Sequence, residues 1–540
     1  MAFIKVQRLV RGDAGEIVGG SAAIVETHYV RGGKFHARHS VRERLGKVLE
    51  IAENRKSGVF LSPTRGVVAY DSESDTFTEV ERGDRRVSAL AVFPDAPVHA
   101  VFGDVHLFLS FLEKSGLMAV LRDVFPRKKA LERVVCHILH GVLKDGSRIS
   151  CENFIARSFA SNLAPDIPLS TLRSDSRYFA SLGDDGVRMS YFKAYVARMR
   201  RANPDFGRAC YVDSTPLPND MRDNPFNALC SHGTGASAVM TRLVLVLDEA
   251  TGLPVWFNVI PGSQLDMKTL EATIADVSES LRISVESLVL DAGYVTYDLL
   301  GKVHVGTQRT FIGRMPARRG YPFRELYRKV KDKVQRGKYC FKRAGNLYFG
   351  DRHRVTIDGN DEFAYVYVDL FNANKKLCDY MGEHEAEFNG MKDCEKDWYK
   401  VKFGFFVLLS NKERTPEELL SEYFGRVAIE GVFKTGKEYL QLLPLAKWTD
   451  LTVRGKILHD VIDTTALLML RKELASSTIS TSELFGAAQS LMCFKSGKDA
   501  VTVEQPNRKV KAYYKLLGME VPSHLSLGTF SSHILEGTEM

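Results

Sequence analysis

The spacing of apolar positions changes several times along the chain. Residues 1–100 read as short alternating runs, Phe3–Val6, Ala22–Val30, Val67–Tyr70 and Val87–Phe93, broken by Gly and Asp, which predicts strands. Within them, Leu45, Val48, Leu49 and Ala52 share one face at helical spacing, which predicts a helix over Val41–Glu53. From Asp104 to about Ala202 the period is helical. Leu107, Phe108, Phe111 and Leu112 open it, and Ala130–Leu143, Cys151–Phe159, Leu169–Leu182 and Tyr191–Arg200 continue it. Short helices with polar joints could hold a helix-turn-helix, but a helical packing module is the simpler expectation.

From Gly207 to Gly313 strand and helix patterns alternate. Ala209–Asp213, Thr241–Leu247 and Val255–Ile260 read as strands, the last two joined by the turn Asp248–Gly252. An amphipathic helix over Leu265–Leu281, a buried strand over Ser287–Asp291, a short helix and a strand near Thr310–Gly313 follow. Three strands, helix, strand, helix, strand is the order of a ribonuclease H-like α/β sheet. Residues 314–405 interrupt it with strands over Lys338–Phe341, Asn346–Phe349 and Phe363–Asp369, and Phe403–Leu409 is apolar enough for a buried strand. At Thr415-Pro416-Glu417-Glu418 a capping Thr, Pro at the first helical position and Glu three residues after the cap start a helix. It is expected to run to Leu443, where Pro444 stops it. Helices over Asp450–Leu474 and Ser482–Phe494, a short strand and a basic stretch, Arg508–Lys515, complete the chain. The expected partition is a β-rich module (1–103), a helical module that could bind DNA (104–206), an RNase H-like α/β core in two parts (207–313 and 406–474), a basic β-rich insertion (314–405) and a tail (475–540).

Composition narrows this little. With 540 residues, 44% apolar and 26% charged, the chain is an ordinary globular protein, which excludes collagen-like, low-complexity and wholly disordered classes. Its eight cysteines form no CxxC pair, so neither a zinc ribbon nor a redox motif is expected. The charged N-terminus does not suit a signal peptide, and no apolar run approaches the roughly 18 residues of a membrane span, so no membrane partner and a reducing, cytoplasmic setting are expected. Charge informs once it is placed. Arg318–Arg354 holds 13 Lys+Arg against 3 Asp+Glu, a net of +10, while the whole chain carries +8. Everything outside that stretch therefore sums to −2. Tyr321, Phe323, Tyr327, Tyr339 and Phe341 interleave with cations such as Arg328 and Lys329. That mixture suits phosphate neutralisation with stacking on exposed bases, and also a solvated ribbon whose aromatics pack its own underside.

Three carboxylates carry the candidate chemistry. Asp213 ends a strand in Tyr-Val-Asp-Ser-Thr, and Asp291 ends another in Leu-Val-Leu-Asp-Ala-Gly-Tyr. Acids there face the edge of a sheet where ligands bind, although Asp also begins turns after strands. Glu430 lies on the expected long helix. At about 100° per residue, Tyr423, Arg426, Lys434 and Lys437 fall within about 40° of it. One acid among three cations and a Tyr suits a metal-bound acid beside phosphates, where an ordinary helix surface would be a charged face with i,i+4 pairs. Two Asp and a Glu supply hard oxygen ligands for two Mg²⁺ or Mn²⁺ ions in phosphoryl transfer. Other motifs are decoys. Gly431–Glu438 resembles a P-loop but has Glu for the Ser/Thr and lies in a helix, Gly233–Ala238 leads into a strand, Asp358–Glu362 is a hairpin turn, and His137 and His140 lack acidic partners.

Together these residues resemble the DDE transposases of bacterial insertion sequences, in the subgroup whose signature is Tyr, two residues, Arg, three residues, Glu, six residues, Lys. Tyr423, Arg426, Glu430 and Lys437 complete it. Asp213-Ser-Thr and Asp291-x-Gly-Tyr are similar to the family's two aspartate motifs, in the same order, and Pro261–Asp266 is similar to its turn before the first core helix. The resemblance covers about 207–470. It implies Asp213, Asp291 and Glu430 as metal ligands, Tyr423, Arg426 and Lys437 on DNA, and an insertion that contacts transposon-end DNA, with Lys434 a further DNA contact. It implies cleavage at terminal inverted repeats, joining of 3′-hydroxyls to target DNA, and a homodimeric synaptic complex. Some relatives cut through a hairpin and hold a flipped base with Tyr and Trp, which makes Trp398 and Tyr423 candidates. A DNA-binding repressor that has lost catalysis and an RNase H-like nuclease are the alternatives.

Overall fold

The computed structural model describes residues 2–539 except 12–16, 31–35, 63–64, 81–98, 145–149, 164–166, 174, 220, 222–223, 230–238, 265, 292, 305–308, 335, 441, 444 and 497–498. Residues Val87–Phe93 and the Gly233–Ala238 loop lie outside the described set. The chain forms two compact units, Met1–His99 and Ala100–Met540. No helix among the described residues is long and apolar enough to cross a membrane.

The first unit is a six-stranded antiparallel sheet in sequential order: β1 (Ala2–Arg11), β2 (Ile17–Val30), β3 (His36–Ile51), β4 (Ser57–Ser62), β5 (Gly66–Asp71) and β6 (Thr76–Glu79). Ile4, Ile24, Leu45, Val48, Phe60 and Tyr70 form its core. The helix expected over Val41–Glu53 is instead part of β3. Register shifts leave Leu45 and Leu49 as extra residues, and Gly46 takes φ 81°. Each bulge adds a residue, so the buried positions recur every third residue, at Leu45, Val48 and Ile51. Bulges thereby imitate a helical period.

The second unit begins within β7 (His99–Val101). Six helices follow: α1 (Gly103–Ser115), α2 (Leu117–Val124), α3 (Lys128–Leu143), α4 (Cys151–Arg157), α5 (Asp175–Leu182) and α6 (Asp185–Ala202). The central sheet then starts with β8 (Ala209–Pro218), β9 (Ala228–Leu229), β10 (Val239–Asp248) and β11 (Pro254–Pro261), continuing through α7 (Asp266–Leu281), β12 (Ser287–Leu290), α8 (Tyr297–His304) and β13 (Thr310–Arg314). Its order is β11-β10-β8-β12-β13, with β8, β10 and β11 antiparallel and β12 parallel to both β8 and β13.

Residues 314–405 depart from the expected β-rich insertion in two ways. They hold α9 (Phe323–Val330), then β14 (Cys340–Arg343), β15 (Asn346–Ile357) and β16 (Asn360–Asp369), then α10 (Leu370–Glu383), α11 (Glu385–Gly390) and α12 (Asp393–Lys402), so their second half is helical. Nor do the strands form a separate module. β17 (Phe405–Ser410) pairs with β13 on one side and β16 on the other, and the sheet continues to β15 and β14. An apolar strand with paired neighbours on both edges joins the interrupting segment to the core.

Past the sheet come α13 (Pro416–Gly425), α14 (Val427–Lys434), a π-helical turn (Thr435–Tyr439), α15 (Asp450–Glu473), α16 (Thr481–Ala488), β18 (Met492–Lys495), β19 (Ala500–Val503), α17 (Arg508–Leu516), β20 (His524–Ser526) and α18 (Leu527–Glu536). The helix expected to extend to Phe494 stops at Ala488, and Met492–Lys495 pairs with β19. α15 is buried along most of its length and packs on α5. Two glycines allow that approach: a Cβ on Gly455 would strike the Phe179 carbonyl, and one on Gly183 would strike the Leu451 backbone. Gly455→Ala is expected to cost about 1–3 kcal/mol of stability through this overpacking, read as a lower urea midpoint.

His106 ties α1 to the tail. Its ring stacks on Phe102, Tyr514 and Phe530. Tyr514 donates its hydroxyl to the Gly103 carbonyl at 2.8 Å, so it can accept from His106 Nδ1 at 3.3 Å. Burial pushes the imidazole down from its ordinary 6.5 to about 4. The unfolded chain then takes up a proton that the folded chain refuses. The stability this gives is complete above pH 6.5 and drains as pH falls towards 4, a loss of about 3 kcal/mol. Urea unfolding at pH 7 and pH 4 is expected to show a smaller pH-dependent loss in His106→Phe.

Candidate active site

Parallel pairing of β8 with β12 runs from Ala209↔Ser287 to Val212↔Leu290. The next residue on each strand is an acid, Asp213 and Asp291. The parallel ladder therefore ends by setting two carboxylates side by side, roughly one strand spacing (about 4.8 Å) apart. β8 itself continues to Pro218, paired only with β10, so Asp213 lies within a strand and not at its end as the sequence suggested.

The third acid arrives on helices laid across the sheet. The Thr415 hydroxyl accepts from Glu418 N at 3.2 Å, and the Glu418 carboxylate accepts from Thr415 N at 2.9 Å, the capping box read from the sequence. The helix start is seated on the strands of the interrupting segment. Tyr367 donates to the Pro416 carbonyl at 2.7 Å, and a Cβ on Gly350 would come 3.0 Å from that of Pro416. At its far end the helix meets β8, where a Cβ on Gly425 would strike the Tyr211 hydroxyl. The expected continuous helix to Leu443 breaks here. Arg426 is the joint between α13 and α14, and the π-turn begins at Thr435.

Arg426 gathers the acids. Its guanidinium lies 2.9 Å from Asp213 Oδ2, 3.7 Å from Asp291 Oδ1 and 3.9 Å from Glu430 Oε1. Arg426 and Asp213 are largely covered (14% and 17% exposed), whereas Asp291 and Glu430 face solvent (42% and 62%). Burial works to lower the Arg426 pKa, but Tyr423, Asp291, Asp213 and Glu430 outweigh it and the net shift is upward, so the guanidinium stays charged. Tyr423 is buried beneath it, ring centroid 5.5 Å from the guanidinium carbon, and burial holds its phenol above the usual range. Three oxygen acids, Asp291 and Glu430 of them open to solvent, form a hard donor set that suits divalent cations of the Mg²⁺ class.

Lys437 turns inward on the π-turn, a feature frequent at functional sites, and donates to Thr215 Oγ1 at 2.5 Å and the Pro216 carbonyl at 3.2 Å. Burial lowers its pKa. Thr435 steadies the turn, donating to the Gly431 carbonyl at 2.8 Å and accepting from Arg471 at 2.7 Å. Tyr211 and Thr215 stand in the sequence only as neighbours in the Asp213 motif and Thr435 only in the P-loop-like run, while Gly425 and Arg471 carry no sequence signal.

Other candidates fall outside this constellation. Lys434 is exposed at the end of α14. Trp398 packs edge-on to Tyr327 and Phe405 at 4.7 and 5.4 Å, half-buried against α9. Arg328 is exposed on α9, and Lys329 pairs with Glu325 at 2.7 Å. The basic segment does reach the site's flank, since Arg343 lies over the Phe424 ring at 4.5 Å. His137 is buried and stacks on Tyr178 at 3.9 Å, and His140 meets Ser150 Oγ at 2.7 Å. A second acidic group, His459, Asp460 and Asp463, is buried on α15 and bound up with Tyr178, Lys456 and itself.

Residues 205–448 match the family model described as a transposase DDE domain. The chain carries the DDE domain of a DNA transposase. No protein of curated function matches it in sequence. Among solved structures, the cryo-EM structure of a piggyBac transposase synaptic complex with hairpin DNA is similar at a TM-score of 0.34 and 11% identity, over 77% of this chain and 84% of that one. A likeness that weak equates no residues.

Gly425 is the tightest point between the helix and the Asp213 strand. Gly425→Ala is expected to displace Arg426 and abolish DNA cleavage while the protein still folds. Adding Tyr211→Phe, which removes the clashing oxygen, is expected to restore part of the activity, measured by nicking of a labelled duplex.

Proposed function

We propose that the protein is an insertion-sequence transposase of the Tyr-Arg-Glu-Lys subgroup. It binds terminal inverted repeats, cleaves DNA at the transposon ends and joins the freed 3′-hydroxyls to target DNA. The observation that carries this is the convergence of Asp213, Asp291 and Glu430 on the Arg426 guanidinium, inside a segment matched as a transposase DDE domain. The sheet order β11-β10-β8-β12-β13, three antiparallel strands followed by parallel ones, supports reading the core as RNase H-like. In this reading residues 207–313 and 406–474 are the two parts of that core.

Asp213, Asp291 and Glu430 would hold divalent ions, two Mg²⁺ in this reading. The chemistry such ions supply when bound is activation of the attacking oxygen and neutralisation of the leaving one. The protein's own groups position and neutralise. Arg426 lowers the mutual repulsion of the acids and offers its remaining N–H donors to a phosphate. Lys437 holds the Asp213 strand to the π-turn through Thr215, and Tyr423 gives Arg426 an apolar floor. Lys434, exposed one turn beyond Glu430, and the cations from Arg318 to Arg354 neutralise the DNA on either side. Two transposon ends act together, so the working form is a homodimer on DNA.

The test is incubation of purified protein with labelled terminal inverted repeats, Mg²⁺ and a target plasmid. Strand-transfer products are expected from the native protein and none from Asp213→Asn, which still binds the repeats. Binding without cleavage by the native protein would make it a repressor, and cleavage without joining would make it a nuclease.

A further inference from the structure

The six-stranded first unit takes no part in the chemistry above, yet one of its faces is a built groove. Residues directly opposite in an antiparallel sheet point to the same side. The registers of β1, β2 and β3 therefore lay three rows across that face: Phe3–Val25–Val41, Lys5–Ala23–Arg44 and Gln7–Ser21–Lys47. In the last two rows the middle residue is small and the flanking ones are long. The flanks stand two strand spacings apart, about 10 Å, over a floor of Ser21 and Ala23, and Lys5, Gln7 and Arg44 among them line a cavity of about 440 Å³.

Its chemistry is one-signed. Lys5, His39 and Arg44 line the cavity with Gln7 and Ser21, and no carboxylate does. Among the described residues neither Lys5, Arg44 nor Lys47 has an ion-pair partner, while Glu26 and Asp75 pair with Arg42, Glu43 with Arg65 and Glu73 with Lys56. Four of the unit's acids are thus neutralised by cations outside the groove, while Lys5 and Arg44 line it. At the mouth, Phe3 and Val41 are exposed (38% and 61%), and the Phe3 ring meets His39 edge-on at 5.7 Å. Arg44 and Lys47 stand opposite Ala23 and Ser21, which are two residues and about 7 Å apart along β2, and cations so spaced beside an exposed aromatic suit a charged backbone with bases to stack. A slot about 10 Å wide, floored by Ser21 and Ala23, seats a single extended strand.

We propose that the β1–β3 face is a single-strand nucleic-acid binding site, with Lys5, Arg44 and Lys47 on phosphates and Phe3 against a base. It rests on the transposase reading only for the choice of DNA as the anionic polymer.

The full-length protein is titrated without divalent cation into a labelled single-stranded oligonucleotide, with fluorescence anisotropy as the readout. Lys5→Gln/Arg44→Gln is expected to weaken binding at least ~10-fold and to make the log Kd against log salt slope shallower by about 1.4, two contacts at about 0.7 each. Ala23→Trp, which fills the floor without changing charge, is expected to weaken binding as well. Asp213→Asn binds like the native protein, which separates this site from the acidic triad, and Lys56→Gln, away from the groove, leaves binding unchanged. Unaltered affinity and slope in the double variant would overturn the proposal. So would an equal loss in Lys56→Gln, or a preference for anionic phosphatidylserine vesicles over DNA.

Discussion

Three carboxylates gathered around one guanidinium repel each other, and Arg426 offsets that repulsion. Asp213, Asp291 and Glu430 come from two strands and a helix, and a positive charge among them offsets their repulsion. Arg426 provides it from the joint between two helices, where one side chain reaches all three acids. Burial beside Tyr423 keeps the guanidinium in one orientation. Its charge survives that burial because the acids outweigh the desolvation.

Placing that arginine explains features that otherwise look incidental. The helix before it starts on strands of the interrupting segment, through Tyr367 and the bare α-carbon of Gly350, and reaches the Asp213 strand at Gly425. The segment that carries the Arg318–Arg354 run, net +10, is thus also the seat of the helix that leads to Glu430. Arg343 over Phe424 joins the two roles, since a cation facing outward is in contact with the residue next to Tyr423. Beyond Glu430, the widened π-turn swings Lys437 back onto the strand bearing the first acid, so the helix is pinned to the sheet on both sides of the arginine.

Much of this was legible in the sequence, because strand ends and helix caps are local. Asp213 and Asp291 follow apolar runs that pair up to the residue before them, and the Thr415–Glu418 box starts its helix where the residue types place it. What escaped depends on partners distant in the chain. Bulges at Leu45 and Leu49 gave a strand the period of a helix. A helical wheel drawn through Tyr423 to Lys437 assumed one unbroken α-helix, yet the break at Arg426 and the π-turn decide where Lys434 and Lys437 point. Trp398 had the right composition for a stacking residue, but only packing reveals Tyr327 and Phe405 around it. The sheet continuing through β17 was hidden because an apolar hexapeptide does not announce its neighbours.

That continuity bears on how the protein is made. β13 ends at Arg314 and its partner β17 begins at Phe405. At 5–20 residues per second, a ribosome needs roughly 5–20 s to deliver the intervening stretch. Throughout that interval Phe311 and Ile312 belong to an open strand edge, the kind of template on which nascent chains pair wrongly with one another. Pairing of that edge therefore waits on a strand made about 90 residues later, so guarding it is a task of synthesis rather than of catalysis.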